Sequence, residues 1–170
     1  NIMNEQTFYN DLLLFSFLLA VIVFITLFFF SAPYGRHIRK GWGPSVRNKL
    51  AWVVMEAPSP LFFALCFLIG NNHSIVPLVF LGLWEAHYVH RAFIYPFSLR
   101  GNRQMPISVI GLGVLFNLMN AYLNGHYIFT LSTQYTTRWL IDPRFIGGLT
   151  LFVCGYLINR AADRILHNLR

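Results

Sequence analysis

An all-α polytopic membrane helix bundle is the fold class that this 170-residue sequence predicts. Composition is the first reason. Hydrophobic residues make up 56% of the chain and charged residues only 11%, against about 25% charged in ordinary soluble domains. Patterning is the second: five apolar runs approach the roughly 20 residues that a helix needs to cross a bilayer. The third is the placing of charge. The net charge of +7 gathers in short connections between the runs, as in an integral membrane protein, so no nucleic-acid partner is expected.

The first run, Leu12 to Ala32, is too long and too uniformly apolar for the core of a signal peptide. Pro33, Tyr34 and Gly35 close it, and a polar stretch follows with Gly41, Gly43 and Pro44 as breakers. The second run extends from about Leu50 to Gly70. Pro58 and Pro60 interrupt it directly after Glu56, where they remove backbone donors and free carbonyls. The polar turn 71–74 makes the second and third runs an antiparallel hairpin. The third run, about Ile75 to Tyr95, is apolar in its first half and polar in its second. Helical spacing puts Trp84, Tyr88, Arg91 and Tyr95 on one stripe, with His87 beside it. The fourth run, about Ile107 to Leu123, is broken by Gly111 and Gly113 and carries Asn117, Asn120 and Asn124. The polar segment 124–142 is expected outside the bilayer. The fifth run, about Pro143 to Ile158, continues as a helix into water.

Five Lys or Arg lie between Arg36 and Lys49, two near Arg100, and three in the tail, Arg160, Arg164 and Arg170. Five alternating helices put all three groups on one side. The positive-inside tendency makes that side cytosolic, with the N-terminus lumenal or periplasmic. The expected location is the endoplasmic reticulum of a eukaryote or the inner membrane of a bacterium. Cys66 and Cys154 both fall inside apolar runs and read as small core residues.

Ionisable groups at membrane depth are costly and mark binding or chemistry by default. Glu56 is the first candidate, against a structural role in bonding a neighbouring helix. Tyr88 is the second, against a role as an interfacial anchor; a phenol can polarise a carbonyl. Glu85 lies on the same helix. His87 and His90 with Glu85 do not supply the three or four converging ligands of a metal site, so no metal is expected. Asn159, Asp163 and Arg170 share a helix face, either as a solvated helix end or as a polar ligand site. No GxGxxG fingerprint occurs, so a nucleotide site would not be of the Rossmann kind.

At PYGRH (33–37), AWVVMEAPSP (51–60), HYVHRAFIYPFSLRG (87–101) and INRAADRILHNLR (158–170) the chain resembles the steroid 5α-reductase family, the 3-oxo-5α-steroid 4-dehydrogenases. The pieces come in the family's order over essentially the whole chain. The resemblance implies a single membrane domain over 1–170. It further implies a C-terminal truncation, five transmembrane helices of an expected seven, and inactivity of the piece alone.

The activity implied is NADPH-dependent reduction of the Δ4 double bond of a small apolar 3-oxo-steroid taken from membrane lipid. In the family a glutamate and a tyrosine bind the 3-keto oxygen, and Glu56 and Tyr88 correspond to them as catalytic residues. NADPH-side polar residues correspond to Asn159, Asp163 and Arg170, with Tyr34, Gly35, Arg91 and Arg103 as weaker carry-overs. Trp52 and Phe116 correspond to positions lining the steroid cavity. Met55 stands where the family usually has glutamine, and Leu112 where some members have an arginine near the site. A more distant similarity to membrane enoyl-CoA and polyprenol reductases keeps other enone or enoyl lipids as substrates. A proton-coupled transporter using Glu56 is the alternative of a different class.

Overall fold

The computed structural model describes residues 2–31, 41–99, 103–133 and 135–168. The chain folds as helix α1 (Ile2–Phe29), strand β1 (Ser45–Arg47), α2 (Asn48–Glu56), α3 (Pro58–Ile69) and α4 (Ile75–Val89). A π-helical turn (His90–Ile94) leads into α5 (Tyr95–Ser98), β2 (Gln104–Pro106) and α6 (Ile107–His126). A second π turn (Tyr127–Leu131), a 3-10 turn (Thr137–Ile141) and α7 (Pro143–Asn168) complete the path. This is the expected all-α membrane bundle.

Among the described residues four helical stretches are long and apolar enough to cross a membrane: Asn4–Phe29, Asn48–Ile69, Ile107–Leu131 and Pro143–Ile165. The 22 residues of the second are about 33 Å long at helical rise. The third expected run is also helical, but it forms 75–98 in three pieces and carries Glu85 and Arg91. It therefore does not reach the apolarity of the other four.

The proline pair interrupts the second span as the sequence suggests, though mildly. Ala57 alone separates α2 from α3, and it keeps helical dihedrals (φ −58°, ψ −33°). Its N–H still reaches Val53 O at 2.9 Å. The carbonyls of Val54 and Glu56 face ring nitrogens that have no hydrogen to give.

Two apolar clusters hold the bundle. One gathers Ala51, Trp52, Met105 and Ile110, with Met55, Tyr95 and Val114 packed on it. The other gathers Phe63, Cys66, Ala121 and Phe129, with Leu81 and Trp84 packed on it. Between the clusters each path carries two polar side chains, Glu56 and Ser59 on α2–α3 and Asn117 and Asn120 on α6. A polar layer is thus held between two apolar plugs.

The loops sort into two ends. β1 pairs antiparallel with β2, with Val46 opposite Met105, and joins the connection after the first span to the connection after the third run. Gly41 and Gly43 make the turn into β1 at φ 98° and 84°, a region that disfavours a side chain. At the other end the N–H groups of Asn71 and Asn72 both bond Phe129 O at 3.0 Å. Tyr9 OH donates to Leu123 O at 2.9 Å, and Glu5 lies 3.0 Å from His126 Nε2. These contacts bring the N-terminal half of α1 to that same end.

Three expectations give way. The fourth helix runs on through Leu131 rather than stopping near Leu123, so 124–131 are helical. Asn124 bonds back to Asn120 O at 2.8 Å, Gly125 packs on Cys66, and His126 is buried. Residues that resemble loop punctuation are thus used in helix contact. Gly111 and Gly113 do not break α6; Gly113 makes room for the Met55 side chain. Cys154 is exposed on the outer face of α7, unlike buried Cys66.

Candidate functional site

The polar layer is built from α6 outward. Three asparagines at spacings of three and four put their amides on neighbouring positions of one helix face. Asn117 is 4% exposed. Its Nδ2 donates to Met55 O at 2.8 Å and to Glu56 Oε2 at 3.3 Å. One amide therefore satisfies a carbonyl beside the proline interruption and holds one carboxylate oxygen. Asn124 Nδ2 donates to Asn120 Oδ1 at 3.0 Å, which fixes the Asn120 amide. Asn120 Nδ2 then donates to Tyr88 OH at 3.2 Å. With its oxygen taken as an acceptor, the Tyr88 phenol keeps its hydrogen free to donate. The fully buried Ser59 hydroxyl lies beside the Tyr88 phenol.

Tyr88 is held in place by stacking. Its ring lies on Trp84 at 4.8 Å, and Trp84 lies flat on Phe63 at 4.2 Å. The stripe of Trp84, Tyr88, Arg91 and Tyr95 faces α2, α3 and α6, as the helical spacing requires. Arg91 sits in the corner between Trp52 and Tyr95, 4.4 and 4.5 Å from the ring centres, and 3.6 Å from Asp163. Its charge also acts on Glu56 and Tyr88. The π turn at His90–Ile94 follows immediately; such turns often accompany functional sites.

A seam between α4 and α7 leads away from the layer. His87 turns toward Phe152 and Tyr156, at 6.1 and 6.2 Å, and His90 meets Arg160 and Tyr156. A cavity of about 380 Å³ in this seam is lined by Tyr88, His87, Trp84 and Asn159 among others. A second, of about 160 Å³, is lined by Tyr95, Arg160 and Asp163 among others. Asn159 therefore shares a cavity with Tyr88, and Asp163 lines a separate one further along α7.

The remaining candidates divide. Trp52 is buried at 5% exposure beneath Arg91. Phe116 lies about 100° around α6 from Asn117 and is 59% exposed, at the outer edge of the asparagine face. Arg103 lines a different groove, with Arg47 and Lys49. Tyr34, Gly35 and Arg170 lie outside the described residues. Met55 packs toward Gly113 and the first cluster, and Leu112 is exposed. Among the described residues no group of three His, Cys, Asp or Glu converges. Sequence reasoning noted Asn117, Asn120 and Asn124 without a role; their three-and-four spacing on a membrane helix was the available signal.

At the head of α7, outside the spans, Asp142 caps the helix. Its Oδ1 accepts from Arg144 N and Nε, and its Oδ2 from Arg144 Nη2, each at 2.9 Å. The Arg144 side chain, then its N–H, hold the Asp142 carboxyl down at about 2.

Comparison with known proteins identifies the family. A family model described as 3-oxo-5-alpha-steroid 4-dehydrogenase matches residues 103–170. Steroid 5-alpha-reductase DET2 of Gossypium hirsutum is 35% identical over 173 residues, covering 98% of this chain and 67% of the relative. DET2 of Arabidopsis thaliana is 33% identical, covering 98% and 66%. The 3-oxo-5-alpha-steroid 4-dehydrogenase 1 of Homo sapiens is 36% identical over 143 residues, covering 82% and 55%. The chain thus spans between about half and two thirds of the length of these relatives. It belongs to the steroid 5α-reductase family of oxidoreductases.

Proposed function

We propose that the protein reduces the carbon–carbon double bond of a 3-oxo-Δ4 steroid, with the ketone oxygen held between Glu56 and Tyr88. The observation that carries this reading is the pair of asparagine donors. Asn117 occupies one oxygen of Glu56, and Asn120 occupies the oxygen of Tyr88. Each leaves its partner further hydrogen-bonding capacity that a ketone oxygen could use. A carboxyl in its neutral form donates to a carbonyl, as a phenol does. Two donors on one ketone oxygen stabilise the negative charge that grows there as the β-carbon is attacked, which is oxyanion-type catalysis. The apolar plugs on either side exclude water, and in that setting such donors act more strongly than in bulk solvent.

The cofactor we assign is NADPH. When bound, it supplies a hydride to the β-carbon, C5 of a steroid, and a proton then completes the reduction at C4. The seam residues fit such a group: Asn159 lies in the cavity that reaches Tyr88, and Asp163 with Arg91 forms a polar end beyond it. Arg91 spans the two parts, so it positions the cofactor end relative to the ketone end. The paired basic loops at the β1–β2 end support a cytosolic orientation for that end. The corresponding organelle in a eukaryote is the endoplasmic reticulum.

The test is turnover by membranes carrying the protein, supplied with NADPH and a 3-oxo-Δ4 steroid, an enoyl-CoA or a polyprenol in parallel. A 5α-dihydro steroid as the preferred product is expected. Preference for either of the other two would overturn the substrate class. Flux driven by a pH gradient without NADPH oxidation would overturn the reductase reading altogether.

A further inference from the structure

A second charged region lies apart from the Glu56–Tyr88 layer. Between β1, the start of α2, α5 and the chain just before β2 there is a groove of about 810 Å³. Arg47, Lys49 and Arg103 line it on the polar side; Leu50, Val53 and Phe97 line it on the apolar side.

The charge in this groove has no internal answer. The whole chain has six acidic residues: Glu5, Asp11, Glu56, Glu85, Asp142 and Asp163. None falls between 12 and 55 or between 86 and 141, the stretches that supply every residue of the groove. Among the described residues Arg47, Lys49 and Arg103 have no ion-pair partner; Asp163 and Asp142 are engaged by Arg91 and Arg144. The groove also meets the N-terminal end of α2. Its first turn carries no acid and its N-cap, Arg47, makes no side-chain cap bond. A helix start carries partial positive charge, which adds to that of the cations.

The position selects the occupant. The apolar span begins at Asn48, so the three cations sit at its end and Val53 lies roughly one turn further in. Leu50 and Phe97 are 56% and 67% exposed. A soluble phosphate compound would leave this apolar wall facing water. A phospholipid covers both parts, with phosphate on the cations and acyl chain on the wall. We propose that the groove seats one anionic phospholipid of the surrounding leaflet, its phosphate between Arg47, Lys49 and Arg103 and a chain against Leu50, Val53 and Phe97. Cations at a membrane surface draw anionic headgroups in this way. The site depends on the membrane placement and not on the steroid reading, so either can fail without the other.

Native mass spectrometry of the detergent-extracted protein tests it, with dioleoyl phosphatidylglycerol and dioleoyl phosphatidylcholine added in equal amounts. The wild-type protein is expected to retain phosphatidylglycerol over phosphatidylcholine by about tenfold or more. In R47Q/K49Q, whose replaced side chains are both exposed, that preference should fall close to parity. R138Q, which removes a charge at the opposite end, should keep it. Equal retention of the two lipids by the wild type, or an undiminished preference in R47Q/K49Q, would overturn the proposal. Displacement of the bound phosphatidylglycerol by NADPH or inorganic phosphate at equimolar amounts would also overturn it, by assigning the groove to a soluble phosphate ligand.

Discussion

Helices α6 and α7 have the same mean hydropathy over their spanning windows, yet 17% of the α6 window is buried and none of the α7 window is. Their glycines show the difference. A Cβ on Gly125 of α6 would come within 2.9 Å of Cys66 Cβ, and one on Gly113 would run into Met55. On α7, Gly147, Gly148 and Gly155 have nothing within 4 Å. Apolarity alone puts a helix in the membrane. Small residues at the crossing points, and amides that bond across it, decide which helices become neighbours. The α2–α3, α4 and α6 kernel uses both devices. Helix α7 is held instead by aromatic contacts to His87 and His90 and by the Arg91–Asp163 pair.

The sharpest way to break this contrast is to remove the chemistry from the kernel. Glu56→Gln and Tyr88→Phe should each lower kcat by about a hundredfold or more, with NADPH affinity retained; steady-state kinetics in membranes checks both. A variant with near-normal kcat would leave the kernel as packing alone. Next comes packing itself. Gly125→Val should destabilise the protein by about 1–3 kcal/mol through overpacking against Cys66, while Gly147→Val should change little. Thermal unfolding in detergent measures the pair, and equal losses would erase the distinction between the two helices.

A smaller effect is expected at the amide that serves both plug and layer. Asn117→Ala removes the donor to Glu56 and to Met55 O. It should lower kcat by about tenfold, the cost of one lost hydrogen bond to a carboxyl proposed to hold the ketone, with KM for NADPH nearly unchanged. The smallest effect belongs to the outer helix. The Asp142 carboxyl is lowered from 3.8 to about 2. Its capping contribution is therefore present above pH 4 and fades as pH falls toward 2. The protection factor of the Arg144 amide should fall across that window in the wild type and be low throughout in Asp142→Ala.

Much of this fold was legible in the residues. Long apolar runs marked the helices, the Pro58–Pro60 pair marked the interruption after Glu56, and three-and-four spacing marked the stripe from Trp84 to Tyr95. Asn124, Gly125 and His126 misled, because polar and small residues signal loops in water but contact points between membrane helices. The π turn at His90–Ile94 had no local signal, since His, Arg, Ala, Phe and Ile suit an ordinary helix equally well. Glu56 and Tyr88 stood out because ionisable and phenolic groups are conspicuous in apolar runs. The asparagines that orient them did not, because their partners lie 32 and 61 residues away in sequence.

Infrared spectroscopy of a 3-oxo-Δ4 steroid labelled with ¹³C at the ketone, bound to the protein with oxidised cofactor, tests the two-donor grip most directly. The account predicts a carbonyl stretch well below that of the free ketone in water, partly restored in Glu56→Gln and in Tyr88→Phe, and fully restored when both are changed. A bound carbonyl whose frequency is the same in the wild type and in both single variants would contradict it.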